Sequence, residues 1–571
     1  MRRLRLRAAL GALVLGLVTL PVTAQSPFDP AATSARSATS DRSASPTSDK
    51  QTLAGPMSKV SGGYTPSEEG ARIERLLDEW RFAEGEAALK NLARSKAGNA
   101  EVLYLEGYTR FLSGDYPTAV LKLRAALEQA PDDVNIKSVG ALAAAAGKAI
   151  EGHKESRSRN FVLRFPPEDE VLAEYALEAL ETALGNLSSD LGFAPNRPIH
   201  VDIYRSPSDL AAVSTLTEAE VERTGTIALC KWARLMATSP RALSYGYPWL
   251  DSLSHELVHY VVSALSRDQA PVWFQEGLAK FLERRWRDPP SASLPPVMQH
   301  LLAKALASNK LIGFDRMHPS MAKLPTAEDA SLAFAEVVTA VASLHAQGGM
   351  GALRTAISGV RDGLDARTAV ARASGGSWPD FEKGWKAFMT AQKYKTFPGM
   401  EPVQRKFRKS AAIASKRAPT EDEEALGPHA PTRYLRLGNM LLRRQRPKAA
   451  AIEYEKGSKL TGHAHWVFDV KLGRTYLALG QPDRALKAVA QLQALQPELP
   501  WPHLIAGQAL LEKGEARDAI AALERSLGSN PFDPSVHCAL AEAYQRLPAG
   551  AGVPESRRSR AERHCKDLRA Q

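Results

Sequence analysis

Cysteine is almost absent from this chain, which contains only 3 cysteines in 571 residues. An odd number leaves at least one thiol without a partner inside the chain. The first cysteine is Cys230, so none lies near the N-terminus where it could carry a lipid. Apolar runs long enough to cross a membrane are also missing beyond the N-terminal segment. The length is too great for one hydrophobic core and predicts three or four domains.

The chain also lacks a basic stripe with interleaved aromatic residues. Its formal net charge is +11, and four of the positive charges are arginines within the first seven residues. The remaining excess is spread over a long chain, which gives no indication of nucleic-acid binding. Two basic clusters, residues 405–409 and 557–569, are predicted to be a solvated linker and a helix face.

Residues 1–24 have the pattern of a cleavable export signal. Arginines precede an apolar run over residues 8–20, and Val22 and Ala24 are the small residues that a signal peptidase requires. We expect cleavage after Ala24, a periplasmic or secreted protein of the bacterial envelope, and no stable membrane span afterwards. A retained membrane anchor is the alternative. Residues 25–63, rich in Ser, Thr, Ala and Pro, are predicted to be a disordered tether.

Residues 68–152 have helical periodicity, with small residues at regular offsets. Gly107, Ala119 and Ala126 would let two antiparallel helices approach closely, and Pro131 would end the second helix. This pattern resembles a tetratricopeptide repeat. The segment therefore predicts a short helical array before the middle of the chain.

Residues 428–571 show a clear internal period of 34. Gly473, Gly507 and Ala541 recur at this spacing, as do Gly480 with Gly514 and further pairs. Several pairs with one period indicate tetratricopeptide repeats ending in a capping helix. Their concave face could hold a peptide or a protein partner, or the helices could simply cap the middle domain. A charged linker, residues 396–427, precedes them.

Residues 156–395 have a different pattern of apolar residues, which predicts strands first and helices after them. Residues 160–165, 198–204 and 224–237 are predicted strands, and residues 169–191 form a predicted helix. The predicted fold class is multidomain: a zincin-like α+β domain with helical tetratricopeptide-like repeats on both sides.

The middle domain contains a metal-binding pattern, His255-Glu256-Leu257-Val258-His259. Residues four apart lie one above the other on a helix, so His255 and His259 can bind one cation while Glu256 points to one side. Apolar residues around the motif would bury this helix.

A third ligand is available 17 positions after His259, at Glu276. A site with three histidines would need glycine at 262 and histidine at 265, but the chain has Val262 and Leu265. Two histidines and one carboxylate leave a coordination position open for water, which is typical of catalytic zinc sites.

The motif and the downstream segment Trp273-Phe274-Gln275-Glu276-Gly277-Leu278-Ala279 together resemble the gluzincins, specifically the peptidase-MA-like metallohydrolases. The resemblance implies that Zn²⁺ is bound by His255, His259 and Glu276. It also implies that Glu256 is the general base and acid, and that the strand near residues 227–237 pairs with an extended substrate. One position departs from the family pattern: Lys280 stands where an aspartate would support a histidine ligand.

The expected function is an exported zinc metallopeptidase that hydrolyses peptide bonds in a protein or peptide substrate, with repeats that recruit substrate or partner. A scaffold with an inactive zincin-like domain, and a hydrolase of other amides, are the alternatives. Tyr245, Tyr247, Tyr260 and His300 are available as oxyanion donors, but none is favoured by its spacing.

The two C-terminal cysteines each follow a histidine, as His537-Cys538 and His564-Cys565. A disulfide, two free thiols and a second zinc site are all compatible with this pattern, although adjacent residues diverge by about 100° on a helix, which disfavours the zinc site. Cys230 is expected to be a buried strand thiol.

Overall fold

The structure is a computed structural model, and it describes residues 66–317, 321, 324–397, 407, 422, 426, 431–461, 466–548 and 552–570. The predicted signal (1–24), the predicted tether (25–63) and most of the predicted linker (396–427) lie outside the described residues. Within the described part of the chain, no helix has both the length and the apolar character that a membrane crossing requires.

The N-terminal array consists of five helices that form antiparallel pairs. Ser67, Asn99, Asp115 and Asp133 each cap a helix with a side-chain oxygen, which satisfies one of the free amides of the first turn. A Cβ atom at Gly107 would lie 2.6 Å from Cγ of Leu123, so only glycine permits the close packing of the third and fourth helices. The helices are α1 (Glu68–Asp78), α2 (Phe82–Ser95), α3 (Ala100–Leu112), α4 (Tyr116–Gln129) and α5 (Val134–Ala149).

The middle domain is built on a mixed sheet of five strands in the order β1-β2-β3-β5-β4. The pairs β2–β3 and β3–β5 are parallel, whereas the outer strands β1 and β4 pair antiparallel with their neighbours. Two strands thus occupy the sheet edges. The strands are β1 (Lys154–Arg157), β2 (Phe161–Phe165), β3 (Ile199–Tyr204), β4 (Ala228–Lys231) and β5 (Arg234–Thr238).

The single strand predicted over residues 224–237 is wrong, because the chain reverses there. Trp232 and Ala233 both have positive φ, 54° and 55°, and make a two-residue turn between β4 and β5. Such turns match the twist of paired strands, but their usual signal is Asn-Gly or Asp-Gly, which this segment lacks. The reversal makes β4, rather than a central strand, the edge of the sheet.

Helices cover the sheet and form the second half of the middle domain. The longest of them has a break at Gly348 and Gly349, where the backbone leaves helical geometry. The helices are α6 (Val171–Leu191), α7 (Pro207–Ala212), α8 (Glu218–Thr224), α9 (Trp249–Ser266), α10 (Val272–Leu282), α11 (Pro296–Ser308), α12 (Ala327–Arg361), α13 (Ala366–Ala373) and α14 (Trp378–Ala391).

The C-terminal array again packs helices in pairs with glycine at the close contacts. A Cβ atom at Gly507 would lie 2.5 Å from Cγ of Leu523, which repeats the arrangement at Gly107. The helices are α15 (Thr432–Arg443), α16 (Pro447–Thr461), α17 (Trp466–Ala478), α18 (Pro482–Leu495), α19 (Pro500–Glu512), α20 (Ala516–Leu527), α21 (Pro534–Arg546) and α22 (Glu555–Arg569).

A disulfide between Cys538 and Cys565 joins α21 to the last helix, α22. His537 donates its Nε2 hydrogen to the carbonyl of Pro531 at 2.7 Å, so its ring serves the fold. The structure therefore selects the disulfide among the three alternatives. Cys230 remains a free, half-buried thiol, and burial raises its pKa above the ordinary value.

The N-terminal array is held against the sheet by a buried arginine. The guanidinium of Arg234 lies between the rings of Phe111 and Tyr116, 4.8 and 4.9 Å from their centroids. It donates hydrogen bonds to the Phe111 carbonyl and the Tyr116 hydroxyl. That hydroxyl in turn donates to Asp202 of β3 at 3.0 Å.

The C-terminal array docks on the start of α9 and on α6. The Trp249 indole donates to the carbonyl of Leu527 at 3.1 Å, and Arg560 forms a 2.7 Å ion pair with Glu178. Capping of the middle domain by the repeats, one of the two predicted arrangements, is therefore present. The helix that carries the metal motif is fixed at its first turn by these repeats.

Candidate metal centre

Helix α9 places His255 and His259 on one face, one turn apart. Pro248 precedes the helix, which then runs without interruption to Ser266 because its interior lacks glycine and proline. The two Nε2 atoms lie 3.1 Å apart. His255 is fully buried, whereas 12% of the His259 side chain is exposed.

Helix α10 brings Glu276 to the same point. Its Oε2 atom lies 3.4 Å from Nε2 of His255 and 3.6 Å from Nε2 of His259. One ligand atom from each of the three residues fits within 4.8 Å of the others. A Cβ atom at Gly277 would lie 2.7 Å from the Val337 carbonyl, so glycine lets α10 pack tightly on α12 and hold Glu276 in place.

The three side chains suit a zinc ion because of their donor atoms and because the carboxylates around them favour a positive charge. Oε2 of Glu276 is buried and faces the Nε2 atoms of His255 and His259 at 3.4 and 3.6 Å. Burial lowers the pKa of His255, but hydrogen bonds to Glu276 and Glu283 outweigh it and raise that pKa to about 9. The cluster thus favours a positive charge at its centre, and two nitrogens with one carboxylate oxygen suit Zn²⁺. Elsewhere in the described ranges, no comparable group of His, Cys, Asp or Glu is present.

A carboxylate that the sequence analysis did not identify contacts the nitrogen of His255 that faces away from the candidate metal centre. Glu283 Oε2 lies 3.3 Å from Nδ1 of His255, and Glu283 Oε1 accepts from Lys280 at 2.7 Å. Burial raises the pKa of Glu283, but the charge of Lys280 and the His255 hydrogen bond lower it to about 2. Glu283 thus takes the role of the aspartate that Lys280 replaces. Glu283 lies seven residues after Glu276, about two helical turns, so this spacing could have indicated from the sequence that the two side chains share a helix face.

His259 is oriented by a chain of polar side chains. Its Nδ1 donates to Gln275 Oε1 at 3.2 Å, and Gln275 Nε2 donates to Ser263 Oγ at 3.1 Å. Ser263 then donates to Asp268 Oδ1 at 2.8 Å. These bonds leave Nε2 of His259 free to face the centre.

Glu256 lies beside the three candidate ligands and is fully buried. Among the described residues, neither carboxylate oxygen makes a hydrogen bond of normal geometry, although the backbone of Cys230 on β4 interacts with this carboxylate. Burial raises the pKa of Glu256 to about 7, although the two histidines act in the opposite direction. Such a carboxyl group can both accept and release a proton near neutral pH.

Each of the four candidate oxyanion donors makes a contact with another part of the fold. Tyr245 packs on Trp466 and Trp501 of the C-terminal array, with centroids 5.2 and 5.1 Å away, and the Tyr247 hydroxyl donates to the Thr238 carbonyl. The Tyr260 ring lies 4.9 Å from Trp80, and Nδ1 of His300 accepts from the Phe397 amide at 3.0 Å.

Three of the solved structures with similarity to this chain share only 10% to 12% of its sequence. The P58(IPK) TPR domain is 11% identical, with 85% of this chain and 99% of that chain covered and a TM-score of 0.20. The APC/C hetero-tetramer Cut9–Hcn1 is 10% identical, with 88% of this chain and 79% of that chain covered and a TM-score of 0.22. Naa15/Naa10 bound to HypK-THB is 12% identical, with 87% of this chain and 62% of that chain covered and a TM-score of 0.20. Scores this low carry no functional argument. No curated protein matches the chain significantly.

Family models match three separate parts of the chain. Residues 71–134 and 476–543 each match a tetratricopeptide repeat model, in the N-terminal and C-terminal arrays. Residues 179–391, which contain the candidate metal centre, match the Peptidase MA superfamily. The chain thus carries a Peptidase MA superfamily domain held between tetratricopeptide repeats on both sides.

Proposed function

We propose that this protein is a zinc-dependent metallopeptidase that hydrolyses peptide bonds. The observation that carries the proposal is the convergence of three donor atoms, from His255, His259 and Glu276, beside the fully buried carboxylate of Glu256. A structural zinc site would close the fourth position with a protein ligand, and it would not need Glu256.

His255, His259 and Glu276 would hold the zinc ion. When bound, zinc lowers the pKa of water and polarises a carbonyl group. Glu256 takes the proton from the attacking water and then delivers it to the leaving amine. Glu283 and Gln275 keep the two imidazole rings in the orientation that this chemistry requires.

Strand β4 supports the choice of an extended peptide as substrate. It is an edge strand that pairs with β5 on one side, and it packs against α9. An edge strand can add a peptide strand through main-chain hydrogen bonds, which bind a backbone without demanding one side chain. The scissile bond would then lie next to the metal centre.

The repeats are proposed to recruit the substrate or a protein partner, and the protein is proposed to be exported to the periplasm or secreted. The N-terminal residues support export by their signal pattern, and the disulfide between Cys538 and Cys565 is compatible with an oxidising compartment. The mass of the mature N-terminus in cell fractions tests this part, with cleavage after Ala24 as the expected result.

Metal analysis and peptide-library cleavage by the purified full chain test the catalytic proposal. We expect zinc in the wild type and in Glu256→Gln, with hydrolysis in the wild type only, because the isosteric amide cannot take the proton. Glu276→Ala should lose most of the zinc. Glu86→Gln, an exposed change on α2, should alter neither property.

Three outcomes contradict the proposal or part of it. Hydrolysis that survives in Glu256→Gln excludes Glu256 as the base. A wild type that binds zinc and cleaves no peptide favours the scaffold alternative or a different amide substrate. Stoichiometric zinc in Glu276→Ala shows that the third ligand lies elsewhere.

A further inference from the structure

The segment that leads into helix α9 inserts one aromatic side chain into the C-terminal array. Leu243 and Tyr247 pack in the hydrophobic core of the middle domain, whereas Tyr245, which lies between them in the sequence, packs in the core of the array. Only 8% of Tyr245 is exposed. A residue of the middle domain therefore fills a site that the repeats form.

Two tryptophans of the C-terminal array contact the inserted ring. Trp466, at the start of α17, and Trp501, in the first turn of α19, stack with their centroids 4.6 Å apart. The Tyr245 ring meets them edge-on, with centroids 5.2 and 5.1 Å away and planes at 72° and 71°. Such contacts stabilise an aromatic ring beyond the burial of its area. We call these two tryptophan rings and the carbonyl of Ser529, which contacts Gly246, the aromatic seat.

The backbone that follows Tyr245 is recognised at the same place. The Tyr247 amide donates to the Ser529 carbonyl at 3.0 Å. Gly246 has a φ of 68°, and a Cβ atom there would lie 2.1 Å from the Ser529 carbonyl oxygen, so glycine is required at this position. The aromatic seat thus selects an aromatic residue, then glycine, then a residue with an amide hydrogen.

The array has further attachments to the middle domain that do not use the aromatic seat. Arg560 of α22 forms a 2.7 Å ion pair with Glu178 of α6, and the Trp249 indole donates to the Leu527 carbonyl at 3.1 Å. Release of Tyr245 from the seat would therefore leave the two domains attached. Its effect would be confined to the segment that leads into α9.

Residues 245–247 occupy the array in the manner of a tethered ligand. They contribute one side chain and one main-chain hydrogen bond, which are the two kinds of contact that repeat arrays and other peptide-binding domains use. A tethered ligand acts at an effective concentration on the order of millimolar, so it excludes weaker ligands from outside. A competing segment must therefore supply the same ring and the same glycine.

We infer that the aromatic seat is a peptide-recognition site of the repeats, and that an extended aromatic–glycine segment of a protein partner displaces Tyr245 and Gly246 from it. The inference rests on the proposed recruiting role of the repeats and does not require catalysis. Displacement loosens the chain directly before α9, the helix that begins at Trp249 and carries His255. Partner binding would thus act on the first turn of the metal-binding helix.

Fluorescence anisotropy with the full-length Glu256→Gln variant tests the binding without cleavage. The probe is a labelled peptide with the sequence of residues 243–249, and two matched peptides have alanine in place of Tyr245 or of Gly246. We expect the probe to bind about tenfold more tightly than the peptide that lacks the tyrosine. The peptide that lacks the glycine should also bind weakly, because its Cβ atom would meet the Ser529 carbonyl.

Two substitutions in the protein should change the affinity in opposite directions. Tyr245→Ala removes the resident side chain and should increase the affinity for the probe about tenfold. Addition of Trp501→Ala to that variant should abolish the gain, because the seat loses one of its rings. Tyr108→Ala, in the N-terminal array, is the matched control and should leave the affinity unchanged. Thermal unfolding checks each fold; if Trp501→Ala is unstable, Trp501→Leu replaces it.

Hydrogen exchange at the Tyr247 amide reports the displacement itself. This amide is bonded to the Ser529 carbonyl while residues 245–247 occupy the seat. Excess probe should accelerate its exchange about tenfold, because the bond is broken when the segment leaves. Mass spectrometry of the fragment that contains Tyr247 measures the rate.

Equal affinity for the three peptides overturns the inference, and so does a Tyr245→Ala variant that binds the probe no better than its parent. Unchanged exchange at Tyr247 with bound probe shows that the probe binds elsewhere and also overturns it. If the probe binds as expected and the wild type cleaves no peptide, the seat is established and only the peptidase is refuted. If the wild type cleaves peptides and no variant binds the probe, only the seat is refuted.

Discussion

Replacement of Glu283 by glutamine should weaken zinc binding although Glu283 is not a ligand. The carboxylate contacts Nδ1 of His255 at 3.3 Å and is only 4% exposed. It therefore sets the orientation of the ring and increases the basicity of the nitrogen that faces the metal centre. Glutamine keeps the length and one acceptor oxygen but removes the charge.

The expected loss follows from the loss of a charged partner behind a ligand. Substitutions of such partners reduce metal affinity by about 10- to 100-fold, or about 1.4 to 2.8 kcal/mol. Glutamine belongs at the lower end, because its amide oxygen can still accept from His255. Glu283→Ala belongs at the upper end, because it leaves both the imidazole and Lys280 without an acceptor.

Lys280 provides the matched control. Lys280→Met removes the same 2.7 Å ion pair but leaves the contact between Glu283 and His255. Its zinc affinity should stay within about twofold of the wild type. Competition with a chromophoric chelator at neutral pH measures the affinity, and thermal unfolding with and without zinc reports the stability.

Two results would refute this reasoning. If Glu283→Gln binds zinc as tightly as the wild type, Glu283 does not orient the ligand. If Lys280→Met loses as much affinity as Glu283→Gln, the effect comes from the broken ion pair and not from the contact with His255.

Two further predictions concern stability. Burial raises the pKa of Asp202 from 3.8 to about 6. Between these pH values the folded state binds more protons than the unfolded state, so the free energy of unfolding falls as pH rises. In the Asp202→Asn variant, urea unfolding should show a smaller fall over this pH range. Reduction of the bond between Cys538 and Cys565, 27 residues apart, should destabilise the C-terminal array by about 3 to 4 kcal/mol. Thermal unfolding with a reductant measures this loss, and a variant with serine at both positions should be insensitive to the reductant.

Sequence reasoning was strongest where function depends on neighbours along one helix. The spacing of His255 and His259 fixes their common face, and Glu276 belongs to a second helix that begins after a short turn. The repeats could be predicted equally well from the sequence, because small residues recur where two helices touch, as at Gly107 and Gly507. In each case the geometry depends on short-range periodicity, which a single sequence displays.

The reasoning failed where a backbone reversal lacks its usual residues. The β4–β5 turn uses Trp232 and Ala233, which rarely adopt positive φ, so the segment was predicted as one strand. The packing of Trp232 against Phe111 of the N-terminal array accompanies this turn. A contact between distant segments of the chain leaves no local signal.

The sequence by itself indicated the repeats and the candidate ligands His255, His259 and Glu276 through periods within one helix or between adjacent helices, and it indicated the mixed middle domain through the alternation of strand residues. Only the tertiary structure decided that Glu283 contacts His255, that β4 is an edge strand, and that the N-terminal array packs against α9 through Trp80 and Tyr260. These features arise where elements far apart in the chain pack together, and such packing depends on the shapes and charges of both surfaces at once.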